Sequence, residues 1–114
     1  MKINTGRYEL DLITATIAST DQVLQSTIID KISVDMFTSN ATRRAWEAIK
    51  VLRDENRIID IIGTSEHMGN EGDFLWLAEI ISDSAALPSN ITGYAKRVRQ
   101  SSYLLNARER LLES

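Results

Sequence analysis

The chain has 114 residues, 43% of them hydrophobic and 25% charged, with 13 Lys and Arg against 16 Asp and Glu for a net charge of −3. These values fit one domain with a packed core and exclude the polar, charge-rich balance of a disordered chain. With no cysteine in the sequence, disulfides, thiolate zinc sites and cysteine nucleophiles are excluded together, as suits a reducing compartment. No apolar run approaches the roughly 18 to 20 residues that span a bilayer, and MKINTGRYELDLITATIA carries charge where a signal peptide needs an unbroken apolar stretch. A cytoplasmic chain, complete at its N-terminus and without a membrane partner, is expected.

One proline and repeated apolar spacings of three and four predict an all-α fold, a compact bundle of about five to six helices. The first helix is expected over 7–18, with Leu10, Ile13 and Ile17 on its stripe and Thr5 as its cap. Ser19 and Gln22 in STDQ have capping-box spacing, and the second helix runs to about Ile32 with Leu24, Ile28 and Ile29 inward. Phe37 in SVDMF is expected to plug the core. NATRRAWEAIKVLRDENR then places Ala45, Ile49 and Leu52 on one face, widened by Trp46 and Ala48, and Asn56 is suited to a left-handed ending.

Asp60 is expected to cap a short helix that stops at Gly69 and Asn70, and Asp73 to cap FLWLAEIIS, where Phe74, Leu77, Ala78 and Ile81 share a face. Pro88 breaks the chain. From Ser89 or Asn90 a long terminal helix aligns Ile91, Tyr94, Ala95, Val98, Ser102 and Leu105. Carried to Leu112 it is roughly 33 to 36 Å long, so its end is expected to overhang the domain. The organisation expected is a single domain with a helical head over 1–88 and a protruding C-terminal helix over 89–114.

Chemistry is scarce. His67, the only histidine, stands near Glu66, Glu71 and Asp73, but one imidazole without a second at helical spacing is a poor ligand set, and no metal is placed there. The five glycines do not supply G-x-x-x-x-G-K-[ST], and no serine has the setting of a hydrolytic triad. No cofactor, no catalytic residue and no enzymatic activity are expected.

Charge is uneven along the chain. Residues 1–95 hold 8 basic and 14 acidic side chains, whereas 96–114 hold 5 basic and 2 acidic. An acidic body speaks against coating a phosphate backbone, so tight nucleic-acid binding is not expected. The basic tail reads instead as a docking surface, because arginines beside aromatic and aliphatic side chains are common interface anchors. The expected interface residues are Arg97, Arg99, Tyr103, Leu104, Arg108, Leu111 and Leu112, with Arg97 and Arg99 projecting outward near Tyr103.

Taken together, RYELDLITATIAST, DMFTSNATRRAWEAIKVLRDENRIIDIIGTSEHM, DFLWLAEI and NITGYAKRVRQ resemble the N-terminal domain of bacterial and phage replicative DNA helicases of the DnaB family. In that pattern Glu9 opens the first helix, while Phe37, Trp46, Ile49 and Leu52 take the places of an aromatic element and the helix after it. Ile59 and Asp60 match a capped helix, with Ile58 where proline is usual. Phe74, Leu77, Ala78, Glu79 and Ile80 follow Phe-x-x-Leu-Ala-Glu-Leu. Asn90, Ile91, Tyr94, Ala95, Val98 and Arg99 meet Asn-Ile-x-x-Tyr-Ala-x-x-Val-Arg in full. Thr14 and Ala15 stand where glycines are usual, and the loop before Asp73 is shortened, which marks a divergent member, phage or prophage in character.

The resemblance implies a non-catalytic collar tier on a hexameric helicase ring. Its partners would be other helicase subunits together with primase or a helicase loader, and the ATPase would reside in a separate motor. It also implies that the terminal helix is the first arm of a helical hairpin whose second arm lies beyond the chain. A free-standing phage adaptor or decoy that occupies a host helicase or primase is the alternative. A small DNA-binding bundle using the basic tail is a third reading.

Overall fold

In a computed structural model of the chain, residues 6–113 are described, with the side chains of 6–111; Thr5 and its expected cap lie outside the described residues. Six α-helices follow one another with no strand among the described residues: α1 (Gly6–Ala18), α2 (Gln22–Lys31), α3 (Asn40–Asp54), α4 (Ile61–Met68), α5 (Asp73–Asp83) and α6 (Ile91–Glu113). Single 3-10 turns at Val34–Met36 and Pro88–Asn90 join α2 to α3 and α5 to α6. The fold is the all-α bundle with a long terminal helix that the apolar spacing predicts.

The head is organised around α1. A helix at a domain's edge buries one stripe, but α1 is packed by α3, α5 and α6 and so buries Leu12, Ile13, Thr14, Ala15 and Thr16 in succession. The expected stripe of Leu10, Ile13 and Ile17 is too narrow for this central position: Leu10 and Ile17 are only half-buried. Thr16 Oγ1 donates back to the Leu12 carbonyl at 2.7 Å, and the Gln25 side chain donates to the Thr16 carbonyl at 2.7 Å, tying the end of α1 to α2.

The capping box proposed for Ser19 and Gln22 does not form. Asp21 is the N-cap of α2 and accepts from the Leu24 amide at 3.0 Å, while Ser19 Oγ donates to the Asp21 carbonyl. Asp and Ser are comparable caps, and here the aspartate stands next to the helix start.

α3 buries Ala45, Trp46, Ala48, Ile49 and Leu52, the face its spacing predicts. Phe37 and Trp46 are both fully buried, with ring centroids 5.1 Å apart, within the range of a favourable aromatic pair. Trp46 Nε1 donates to the Ile32 carbonyl at 2.8 Å, so the indole satisfies its polar edge while its body fills the core. Removing either ring should cost about 3–5 kcal/mol through lost burial and the cavity left behind.

Two positive-φ residues punctuate the next turns. Asn56 has φ 57° after α3, where the sequence places a left-handed ending, and Gly69 has φ 88° after α4, where the sequence places a helix stop. Asp60 caps α4 by accepting from the Gly63 amide at 2.7 Å. Asp73, in contrast, is not a cap. It is the first residue of α5, is 7% exposed, and accepts from the Asn70 amide at 2.9 Å and from Arg44. With Asp73 and Leu77 facing inward, Phe74 is rotated outward and is 48% exposed rather than buried.

Candidate interaction surface

Glu9 shows how the head fixes the base of α6. It sits in the first turn of α1, 1% exposed, and accepts from the Thr38 amide (2.7 Å), the Thr38 hydroxyl (2.7 Å) and the Thr42 hydroxyl (3.0 Å). One carboxylate thus satisfies donors at the start of α3 while lying near the positive end of α1's own dipole. α1 is pinned to α3 in this way, and along its length it receives the first half of α6. Ile91, Ala95 and Val98 are buried there, with Tyr94 half-buried beside them.

Beyond Ser102 the burial of α6 ends. Tyr103 is 55% exposed, Leu104 60% and Leu111 77%; among the described side chains after Ser102, Leu105 alone remains half-buried. The molecule measures 44 × 30 × 27 Å. At 1.5 Å per residue the segment from Tyr103 to Glu113 extends roughly 16 Å.

The expected interface residues do not share one face. At 3.6 residues per turn, two positions apart on a helix differ by about 200°, so Arg97 and Arg99 point to opposite sides of α6. Arg97 lies over the Tyr8 ring of α1, 5.5 Å from its centroid. Arg99 turns along its own helix, placing Nη2 3.2 Å from the Tyr103 hydroxyl and its guanidinium 5.8 Å from that ring, with Nε buried and unbonded. The structure therefore brings Arg99 and Tyr103 together and sends Arg97 toward α1. Leu104 and Arg108 fall on the Arg97 side, one turn apart. Leu112 lies in α6 by its backbone, and its side chain is outside the described ones.

Other surface features were not singled out from the sequence. Tyr8, Ser89, Asn90, Gly93, Tyr94 and Arg97 line a groove of about 370 Å³ where α1 meets the start of α6. Ile62, Phe74 and Leu75 are exposed on α4 and α5. Pairing of Arg97 with Tyr8 required knowing that α1 and α6 are neighbours, which local spacing does not reveal. His67 stands 3.1 Å from Arg57 and 3.8 Å from Glu55 at the surface. No group of three His, Cys, Asp or Glu among the described residues is placed to hold a metal ion, and no helix among them is long and apolar enough to cross a membrane.

A helical head with its core packed around α1, and a terminal helix that continues past that core, make up the described fold. The family model for the DnaB-like helicase N terminal domain matches residues 9–100, from the buried Glu9 to the last turn before the arm emerges. The chain belongs to this family: it is a helicase N-terminal domain of DNA replication, the part of such a helicase that is non-catalytic, and its setting is an oligomer with protein partners. No curated protein and no solved structure gives a significant match.

Proposed function

We propose that the chain forms the collar tier of a replicative helicase ring, with residues 6–88 as the head and α6 as an arm that joins subunits and recruits primase or a helicase loader. The supporting observation is the exposure of Tyr103 and Leu104 on a helix whose inward residues already complete the head. Exposed apolar side chains beside cations are the composition of a protein interface, and folding alone does not call for them.

The arm makes its contacts through two flanks. Arg99 and Tyr103 form one anchor, held together by their hydrogen bond, and Leu104 with Arg108 forms the other. Capture of the chain by purified cognate primase, compared with an Arg97→Glu/Tyr103→Ala variant, tests the recruitment half of the proposal. The variant should be recovered at least tenfold less. Equal recovery of the two would remove these residues from the interface, and no capture of either chain by primase or loader would remove recruitment itself.

A further inference from the structure

α5 carries an apolar stripe that its own chain covers only in part. Phe74, Ala78 and Ile81 recur at i, i+4 and i+7, the spacing of a buried helix face. Leu77 beside them is fully buried, whereas Phe74 is 48% exposed and Ala78 and Ile81 are half-buried. Ile62 on α4 and Leu75 on α5 extend the apolar surface at 60% and 64% exposure. Between the two helices Ser65, Glu66, Gly69, Glu71 and Phe74 line a groove of about 350 Å³.

The rim of this surface is acidic. Residues 61–83 hold five carboxylates and no lysine or arginine. Arg44 engages Asp73. Glu66, Glu71, Glu79 and Asp83 are exposed, and no ion pair among the described residues involves them. Leu75 stands one turn from Glu71 and from Glu79, and Ile62 one turn from Glu66. Arg57, which meets His67 of α4, lies 3.6 Å from Glu55 and is matched by it. The groove is also held in shape before anything enters it, because Arg44 bonds both the Met68 carbonyl at the end of α4 and Asp73 at the start of α5.

We infer that this α4–α5 face is a docking groove for a basic amphipathic helix belonging to a protein other than this chain. The stripe supplies the apolar contact, and the exposed glutamates select lysine and arginine beside it. A helix is the form that fits, because α4 and α5 satisfy their backbone groups internally and offer no ladder to an extended peptide. A second copy is a poorer occupant: the chain has a net charge of −3, and residues 1–95 hold 14 acidic side chains against 8 basic, so the heads of two copies repel. The surface lies on other helices than α6, and the inference holds whether or not α6 recruits primase.

The probe is a synthetic amphipathic helix of leucine and lysine, about 14 residues or four turns long, with its leucine and glutamate counterpart as control. Titrated into the isotope-labelled chain at low salt, the lysine peptide should shift amide resonances within 61–83 with a Kd of about 10–100 µM. The glutamate peptide should shift none. Glu66→Lys/Glu71→Lys should weaken the lysine peptide at least about tenfold and admit the glutamate peptide. Ile62→Ser/Leu75→Ser, at exposed positions that the core does not use, should weaken it about tenfold with helical circular dichroism unchanged. Shifts centred on Asp30, Asp54 or α6, binding that Ile62→Ser/Leu75→Ser leaves intact, or no shift at about 1 mM peptide would overturn the inference. Shifts within 61–83 that grow with the concentration of the chain alone would overturn it too, by making a second copy the occupant.

Discussion

Arg44 on α3 and Asp73 at the start of α5 meet at 2.5 Å, and the same guanidinium nitrogen lies 2.8 Å from the Met68 carbonyl at the end of α4. One arginine thereby holds both sides of the turn that presents Glu71 and Phe74. Asp73 is 9% exposed at its side chain and Arg44 34%, so loss of either strands a partner that water only partly reaches. Arg44→Ala and Asp73→Ala should each lower unfolding free energy by about 2–4 kcal/mol. Urea titration measures this, and a double variant costing much less than the two single losses added together identifies the pair as a coupled unit.

Glu9 offers a sharper test of polar geometry. Its two oxygens accept three hydrogen bonds from neutral donors. Glu9→Gln keeps the shape but replaces one acceptor with an NH2 group facing donors. A loss of about 1.5–3 kcal/mol is expected, the range for hydrogen bonds to a charged group. The test is thermal and urea unfolding of Glu9→Gln; a variant as stable as the parent would mean that the carboxylate does not organise the start of α3.

The outcome of reading the sequence can be traced to particular residues. α3 was readable because Ala45, Ile49 and Leu52 repeat with the helical period, and Asn56, Asp60 and Gly69 were readable because each acts on backbone within three or four residues of itself. What failed depended on tertiary neighbours. Asp73 has the look of a cap until Arg44, 29 positions earlier in sequence, is brought beside it. Phe74 fits a buried stripe until the rotation of α5 around Asp73 and Leu77 is known. Arg97 and Arg99 read as a pair in a string, but two residues on a helix are half a turn apart, a geometric fact that the string conceals and the period restores. Glu9 entered the sequence reading as the opening of the first helix, and its binding to Thr38 and Thr42 emerged only in three dimensions.

The two left-handed residues should differ in their sensitivity to substitution. Gly69 has φ 88° and a Cβ there would meet nothing within 4 Å, so Gly69→Ala tests backbone strain without a steric clash. A loss of about 1–2 kcal/mol is expected. Asn56, at φ 57°, already occupies that region as a non-glycine residue, and Asn56→Gly should leave stability within about 0.5 kcal/mol. Paired urea curves decide the point.

Asp35 carries a pH dependence of defined sign. The Ser33 hydroxyl and the backbone amide of Asp35 itself hydrogen-bond its carboxylate, with Arg43 and Lys50 adding attraction, and hold its pKa below the usual aspartate value. A depressed folded-state pKa contributes stability that is present above the unfolded value and lost as pH falls through the folded one. Carbon-detected NMR titration should find Asp35 ionising below the usual aspartate value, and Ser33→Ala should move it upward.

Stability and partner binding should separate along α6. Ile91 is fully buried, and Ile91→Ala is expected to cost about 2–5 kcal/mol because it empties a packed position against α1. Tyr103 and Leu104 are more than half exposed, and the Tyr103 hydroxyl accepts a hydrogen bond from Arg99 at 3.2 Å. Tyr103→Ala and Leu104→Ala should therefore stay within about 0.5 kcal/mol of the parent, while reducing capture by primase or association between chains. If these two variants instead unfold as readily as Ile91→Ala, the distal helix belongs to the core of the head, and its apolar side chains are accounted for by folding without any partner. Measuring unfolding and binding on the same samples distinguishes the two roles, because a folding defect weakens both together whereas a lost docking contact leaves the unfolding curve in place.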